Sequence, residues 1–259
     1  MKNTMRNAMV VGVLAALAMS PLSAITGREV MEKADDVAVP KTSMSQVQMD
    51  LIDKSGKVET RKMLEYGRKP NDLKDVVIIF QSPASVKDTR FLQKDKNGGG
   101  SDKWIYMPSL RSTRRIAASE GDKSFMGSDA TYDDLSGREL DDYEYQLLAE
   151  GETKGKWTTY KVESTPKPTT NSQYSKLISW IDQETFVPVY TEMYDKSGKL
   201  LKELEVKDLQ VVGGYQTPMK NELRNVQTGH STKLSILQMK VDLNLPDRIF
   251  TTNFLNTGK

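Results

Sequence analysis

The alternation of apolar and polar residues along the chain predicts a protein built mainly from β-strands. Val47, Met49 and Leu51 alternate with glutamine and aspartate, and residues 237–243 repeat this period of two late in the chain. Further runs with strand composition lie at residues 76–81, 104–107, 157–163, 177–181, 187–193, 200–206 and 219–226. Because short turns separate most of these runs, we expect an α+β fold, mainly β, with a meandering antiparallel sheet.

The pentapeptide Asp-Lys-Ser-Gly-Lys occurs twice, at residues 53–57 and 195–199, each time between two strand candidates. Aspartate, serine and glycine favour tight turns, so both copies predict a hairpin. An internal duplication would also explain the repeat, but the flanking residues share too little to support it.

Few segments are available to cover the apolar face of such a sheet. Thr26 and Glu29 have the spacing of a capping box and predict a short helix that ends near Val37. A second short helix is expected to begin at Pro246. Between them, residues 111–140 form an irregular stretch. If these segments cover the sheet incompletely, an apolar pocket remains beneath them.

Residues 1–24 have the three parts of a secretory signal peptide: a basic start, an apolar stretch and a final pair of small residues. The apolar stretch, residues 8–22, is shorter than the roughly 20 residues that span a bilayer as a helix. We therefore expect cleavage after Ala24 and a soluble protein in the periplasm, with residues 25–259 forming a single domain.

Charge and composition argue against several classes of function. Without residues 1–24, the 37 Lys and Arg residues become 35 and equal the 35 Asp and Glu residues. A chain without net charge has no overall field that attracts nucleic acid, so no nucleic-acid partner is expected. The chain has no cysteine, which excludes disulfides and a lipid-modified N-terminal cysteine.

The chain also lacks the residue sets of common enzymes and cofactor sites. His230 is its only histidine and is expected in an exposed loop; no Gly-x-Ser-x-Gly motif accompanies it. No glycine-rich phosphate-binding motif occurs. The aspartate pairs at 35–36, 133–134 and 141–142 lack the spacing of a calcium loop. The sequence therefore predicts no enzymatic activity, no metal and no cofactor.

Residues 82–135 contain an ordered set of motifs. In one-letter code they read D-x-W-x-Y-x-P from Asp102, then R-R-I from Arg114, then F-x-G-S-D-x-T-Y-x-D-L from Phe125. This set resembles the outer-membrane lipoprotein-sorting family, in its periplasmic LolA/LolB-like branch. The segments before and after it match in order, so the resemblance extends over nearly the whole mature chain.

The resemblance implies a strongly curved, unclosed antiparallel half-barrel, covered by a few helices, that holds acyl chains between sheet and cover. Relatives in this branch are associated with inner-membrane exporters of the RND/MMPL type, which implies a periplasmic relay with such an exporter as partner. Because the chain has no cysteine to carry a lipid, we expect a soluble shuttle with only transient membrane contact.

An acyl chain can be held by burial alone, since each methylene moved from water to an apolar site contributes about 0.8 kcal/mol. We expect strand residues to line the cavity, among them methionines, whose flexible side chains adapt to several shapes. The alternative is that these residues form an ordinary packed core. The candidates are Met49, Leu51, Met63, Ile78, Phe80, Trp104, Tyr106, Met193, Leu237, Met239 and Val241.

Arg111, Arg114 and Arg115 are the candidates for contact with a lipid headgroup or a partner protein, because guanidinium groups pair with phosphate and carboxylate. Strand alternation would place Arg111 and Arg115 on one side and Arg114 on the other. All three can then bind one ligand only if the strand has a bulge. The alternative to a binding role is that the arginines lie on a solvated strand face.

Phe125, Gly127, Ser128, Asp129 and Tyr132 belong to the segment expected to cover the cavity. The glycine, serine and aspartate predict a tight turn with hydrogen bonds from side chain to backbone, while the two aromatic residues pack inward. This role is structural. A gate over the cavity is the functional alternative.

The sequence thus predicts a carrier that moves lipid or lipoprotein acyl chains between the inner membrane, or an exporter in it, and the outer membrane. The alternative is a non-catalytic accessory or sensor subunit that binds an RND-type exporter or another envelope protein. A carrier requires space for hydrocarbon tails inside the sheet, whereas an accessory subunit does not.

Overall fold

The computed structural model describes residues 24–259, which form one 13-stranded antiparallel sheet and two α-helices. The predicted signal peptide, apart from Ala24, lies outside the described residues. The strands are β1 (Thr42–Ile52), β2 (Val58–Arg68), β3 (Asp75–Ser82), β4 (Arg90–Asp95), β5 (Ser101–Met107), β6 (Ser112–Arg115), β7 (Tyr143–Lys154), β8 (Trp157–Pro166), β9 (Lys176–Asp182), β10 (Pro188–Tyr194), β11 (Leu200–Val212), β12 (Tyr215–Asn225) and β13 (Ser231–Val241), and the helices are α1 (Gly27–Asp35) and α2 (Thr252–Thr257).

The sheet consists of two meanders joined by one long-range pair of strands. Strands β1 to β6 follow one another on one side, and strands β7 to β13 on the other. The two meanders meet where β1 pairs with β13, from Ser43 opposite Val241 to Ile52 opposite Ser231. Within the part of the chain described, the edge strands β6 and β7 do not pair with each other. The sheet is therefore an unclosed half-barrel, as predicted.

Helix α1 begins at the predicted capping box. The Glu29 amide donates to Thr26 Oγ1 (3.2 Å) and the Thr26 amide donates to Glu29 Oε2 (2.7 Å). The helix ends at Asp35, two residues before the predicted end. Its Val30 side chain is fully buried against β8 and β9, so α1 covers one part of the face that we call the inner face.

Residues 116–139, here called the lid segment, cover the inner face of strands β1 to β5. The segment contains short 3-10 turns and no strand or α-helix. The ring centroids of Phe125 and Tyr132 lie 5.0 and 6.1 Å from that of Phe91 on β4. Contacts between aromatic rings at these distances stabilise the packing of the lid segment on the sheet.

The C-terminal residues cover the opposite, outer face of strands β3 to β5. A 3-10 turn at Asp247–Phe250 begins one residue after Pro246 and precedes α2, so the predicted helix is split in two. Phe250 and Leu255 are buried against side chains of β3 and β4. None of the helices within residues 24–259 has the length and apolar character needed to cross a bilayer.

Both Asp-Lys-Ser-Gly-Lys segments form the same hairpin turn. Asp53 Oδ1 accepts hydrogen bonds from the amides of Ser55 (2.8 Å) and Lys57 (3.0 Å). Asp195 Oδ1 accepts the equivalent two bonds at 2.9 and 3.0 Å. The turn glycines have φ values of 85° and 78°, in the left-handed region that glycine adopts without steric cost. The identical sequence thus produces identical local bonding.

Candidate functional site

A cavity of about 640 Å³ opens between the lid segment and the two edges of the sheet. It is lined by β5 and β6, by the lid segment, by the start of β7 and by the loop before β9. Its ionisable lining residues are Lys96, Asp102, Lys103, Arg115, Tyr132, Asp133, Asp134, Arg138, Glu139, Asp142, Tyr143 and Tyr174.

The cavity lies at the junction of two apolar cores on the inner face. Ile116 and Tyr132 belong to the core formed with β1 to β5. Tyr143 and Tyr174 belong to the neighbouring core, which contains Leu177 of β9. Ile116, Tyr132, Tyr143 and Tyr174 line the cavity, and Leu177 does not. Opposite walls are therefore apolar and aromatic, although many charged groups surround them.

A second cavity, of about 180 Å³, lies between α1 and β9. Arg138 and Tyr143 line both cavities. The smaller one has mainly apolar neighbours, among them Met31, Leu140 and Leu177. Apolar space under α1 therefore adjoins the larger, more polar space at the sheet edges.

Asp134 connects the lid segment with β11. Its carboxylate accepts hydrogen bonds from Lys202 Nζ (2.8 Å), the Tyr174 hydroxyl (2.8 Å) and the Thr131 amide (2.9 Å). Burial raises the pKa of Asp134, but the Lys202 ammonium and the hydrogen bonds outweigh it and hold this pKa below its ordinary value. Burial and the neighbouring Asp134 charge raise the pKa of Tyr174. This network stabilises the ionised carboxylate and fixes one end of the lid segment.

Lys103 and Asp133 form a less complete pair on another wall of the cavity. The Lys103 side chain is 8% exposed, and its Nζ lies 3.8 Å from Asp133 Oδ1. Burial lowers the pKa of Lys103, and partial burial raises the pKa of Asp133, whose side chain is 46% exposed. A Cβ atom added at Gly121 would lie 2.3 Å from Asp133 Oδ2, so the carboxylate occupies the space that a side chain there would need. Glycine at this position admits the carboxylate.

His230 is part of a contact that holds the lid segment to β13. Its Nδ1 lies 2.7 Å from Asp129 Oδ2, which also accepts a hydrogen bond from Thr232 Oγ1 at 2.7 Å. The Thr232 hydroxyl in turn accepts from the Asp129 amide at 2.9 Å. His230 lies in the loop before β13, as predicted, but its side chain is only 27% exposed. The distant lid aspartate, which no local pattern indicates, accounts for the difference.

Two further side chains of the sheet bind backbone carbonyls of the lid segment. Arg61 on β2 donates to the Met126 carbonyl. Gln93 on β4 donates through Nε2 to the Leu135 carbonyl at 3.1 Å. Such bonds satisfy polar backbone groups that an irregular segment would otherwise leave unpaired on a covered face.

The eleven residues predicted to line an acyl cavity are absent from the lining of the 640 Å³ cavity. Met193 lies in the core beside Leu177. Met239 and Val241 are partly buried, and Leu237 is 50% exposed. Five of the candidates pack together with the lid segment in the core of β1 to β5: Met49, Leu51, Met63, Ile78 and Phe80.

Trp104 and Tyr106 lie on the outer face, away from the other candidates. Strand alternation turns Lys103 and Ile105 of β5 inward, so the two aromatic residues face the C-terminal core that contains Phe250. The sequence interpretation assumed one covered face. The C-terminal residues create a second covered face, where large aromatic side chains are also buried.

The three predicted arginines have different environments. Arg111 lies in the turn between β5 and β6 with a φ of 49°, so the predicted strand alternation does not include it. Arg114 pairs with Glu120 of the lid segment at 2.9 Å. Arg115 lines the cavity and pairs with Asp102. Of the three, Arg115 alone reaches the cavity.

The predicted turn in the lid segment forms with the expected bond from the serine, whereas the Asp129 carboxylate bonds the side chains of His230 and Thr232. Gly127 has a φ of 78°, and Ser128 Oγ donates to the Phe125 carbonyl at 2.8 Å. The Phe125 and Tyr132 side chains are buried. In this structure the segment packs as part of the core, and movement as a gate stays a prediction.

Sequence reasoning missed Lys103, Asp133, Tyr174 and Lys202 as members of one site. They come from β5, the lid segment, the loop before β9 and β11. The one local signal was the adjacent aspartate pair at 133–134, which lacks the spacing of a calcium loop and was not assigned to a site. Only the sheet topology brings these segments together.

The half-barrel with its covered inner face defines the LolA-like class of fold. A family model with the description "Uncharacterized protein" matches residues 72–257, and the chain belongs to this family. A comparison with curated proteins gives no match.

Solved structures confirm the fold class. The chain is similar to a DUF1329 family protein from Desulfovibrio piger, with 27% identity and a TM-score of 0.84 over 88% of this chain and 97% of that one. An outer membrane lipoprotein-sorting protein domain from Vibrio parahaemolyticus is similar at 28% identity and a TM-score of 0.82, over 89% and 98%. A LolA superfamily protein from Nitrosomonas europaea shares the fold, with 23% identity and a TM-score of 0.68, over 89% and 100%.

Proposed function

We propose that this protein binds the acyl chains of a lipid or lipoprotein and carries them through the periplasm. The observation that supports this best is the cavity of about 640 Å³ at the junction of the two inner cores. Sites for small molecules occupy about 300–1,000 Å³. The apolar walls at Ile116 and Tyr132 on one side, and at Tyr143 and Tyr174 on the other, suit a hydrocarbon chain.

The energy of burial is sufficient for this function. Each methylene transferred from water contributes about 0.8 kcal/mol, so ten buried methylenes contribute roughly 8 kcal/mol before the costs of association. The smaller cavity under α1 offers additional apolar surface next to Tyr143. The similar protein described as a lipoprotein-sorting domain supports the same class of cargo.

The compartment and route belong to the same proposal. The signal-peptide pattern of residues 1–24 supports export to the periplasm. The family resemblance supports an inner-membrane exporter of the RND/MMPL type as the donor and the outer membrane as the destination. Contact with either membrane is transient.

Native mass spectrometry of gently purified protein tests the carrier function. We expect bound lipid with acyl chains, and we expect Ala118→Trp or Gly137→Trp to remove it, because both residues line the cavity. A Cβ at Gly137 meets no atom within 4 Å, so the new side chain has room to enter. Lys54→Trp, in the exposed turn after β1, is the control and should retain the lipid.

Two results would contradict the carrier function. One is the absence of lipid from every preparation, together with no binding of added fatty acid or lysolipid. The other is lipid that remains at the wild-type level in both cavity-filling variants. A crosslinked complex with an exporter that persists in these variants would instead favour the accessory-subunit alternative.

A further inference from the structure

The Lys103 side chain is largely buried, but its ammonium nitrogen is not fully enclosed by the protein. An ammonium has three donors, yet none of the residues within 24–259 accepts a hydrogen bond from Nζ, and the carboxylate nearest to it is Asp133, at 3.8 Å. Lys202, which is similarly buried, has Asp134 at 2.8 Å. The two lysine side chains are exposed to a similar extent, 8% and 5%, but differ in their bonding.

An ammonium that is largely removed from water is destabilised unless water or another group in the cavity completes its bonding. Burial lowers the pKa of Lys103, and the charge of the nearby Asp133 carboxylate opposes this shift. Lys103 lines a cavity large enough to admit a ligand. An acceptor entering the cavity would supply the missing bonds.

The other acidic groups of the cavity leave Lys103 available. Asp102 is paired with Arg115 and with Lys96 at 3.5 Å. Asp134 is engaged by Lys202. Glu139 and Asp142 are exposed, so water can satisfy them.

We propose that Lys103 binds the anionic polar end of an amphiphile, a carboxylate or a phosphate, whose hydrocarbon chain lies between the two inner cores. This inference rests on the proposed function and adds the chemical class of the ligand. Hydrogen bonds between an ammonium and an anionic oxygen are among the strongest in proteins. Ile116 and Tyr132 form the adjoining apolar wall.

Binding of four probes to delipidated full-length mature protein tests this assignment. The probes are hexadecanoic acid, hexadecyl phosphate, hexadecanol and inorganic phosphate, compared by calorimetric titration below their micellar concentrations. We expect the two anionic amphiphiles to bind about tenfold or more tightly than hexadecanol, as a charge-assisted hydrogen bond implies. Inorganic phosphate, which lacks the chain, should bind weakly.

The variant Lys103→Met removes the ammonium and keeps an unbranched side chain of similar length. It should bind hexadecanol as the wild type does and lose the preference for the anionic probes, while Lys103→Arg should retain a preference. Lys123→Met, at an exposed lysine of the lid segment, is the matched control and should behave as the wild type. Unchanged hexadecanol binding shows that Lys103→Met is folded.

The outcomes separate this inference from the carrier function. Equal binding of acid and alcohol by the wild type, or an unchanged preference in Lys103→Met, would overturn the role of Lys103 and leave the carrier function intact. No binding of any amphiphile would overturn both. Tight binding of inorganic phosphate that Lys103→Met abolishes would identify a free anion as the ligand and contradict the amphiphile.

Discussion

Lys202 and Lys207 lie on the same strand, β11, but only Lys202 is buried. Its side chain is 5% exposed and pairs with Asp134, whereas Lys207 is 44% exposed and pairs with Glu205. We expect Lys202→Met to lower the free energy of unfolding by about 3–5 kcal/mol, because it leaves a buried carboxylate without its counter-charge. Urea unfolding measures this change.

The matched control is Lys207→Met on the same strand. An exposed ion pair contributes about 0–1 kcal/mol, so this variant should unfold near the wild-type midpoint. If both variants lose equally little, the Asp134 network does not stabilise the lid segment.

The same network predicts a pH dependence. The pKa of Asp134 is lower in the folded protein than in the unfolded chain, so its contribution is present above the unfolded pKa. The contribution is lost as the pH falls through the folded pKa. In Lys202→Met, the acid-induced loss of stability should be smaller over this range.

At single positions, the sequence predicted whether a side chain is buried better than it predicted which face of the sheet the side chain lies on. Trp104 and Tyr106 were expected to line a cavity and instead pack on the outer face. Their neighbour Lys103, which lines the cavity, was not among the candidates, and lysine is a residue that is rarely buried. Period-two alternation relates neighbours to each other, but the direction of the cavity depends on which segment covers each face.

At the scale of elements, the two hairpin turns offer an internal comparison. Asp53 and Asp195 accept the same bonds within their turns, but Asp195 Oδ2 also accepts from Gln227 Nε2 at 2.8 Å. Hydrogen bonds to each carboxylate lower its pKa. We expect NMR titration to find a lower pKa for Asp195 than for Asp53.

The variant Gln227→Ala checks the cause of that difference. It should raise the pKa of Asp195 towards that of Asp53 and leave Asp53 unchanged. Because both values are depressed, each carboxylate stabilises its turn above the unfolded pKa, and the effect is lost on acidification. Equal pKa values in the wild-type protein would contradict the assigned role of Gln227.

Elements specified by neighbouring residues were the ones that sequence reasoning predicted. The capping box of α1 and both hairpin turns depend on bonds within about five residues. The strands β4 and β7 were not predicted, β2 was implied only as the second strand of a hairpin, and β6 only by the alternation of the arginines. In β2, Arg61 occupies an inward position because it binds a lid carbonyl, which hides the alternation. In β4, Phe91 and Leu92 are both buried, on opposite faces, and a strand covered on both faces loses the period of two.

At the scale of the whole molecule, each half of the sheet is covered by the opposite end of the chain. Helix α1 packs on β7 to β9, and the C-terminal residues pack on β3 to β5. The pairing of β1 with β13 joins the two halves. Unfolding of either half therefore removes contacts from the other, which supports the prediction that residues 25–259 are one domain.

Tryptophan fluorescence can test this coupling because the halves contain different tryptophans. Trp104 lies on β5, and Trp180 lies on β9. Two variants each retain one tryptophan, Trp104 or Trp180, and have phenylalanine at the other tryptophan positions. In each variant, the urea transition measured by fluorescence should coincide with the transition measured by circular dichroism.

Phe250→Ala, in the C-terminal core, should destabilise the protein by about 3–5 kcal/mol. Phe250→Ala should lower the urea midpoint even when the fluorescence of Trp180, in the opposite half of the sheet, is measured. If the Trp180 midpoint does not move while the Trp104 midpoint falls, the halves unfold separately, and the cavity between them lies at a boundary between two domains.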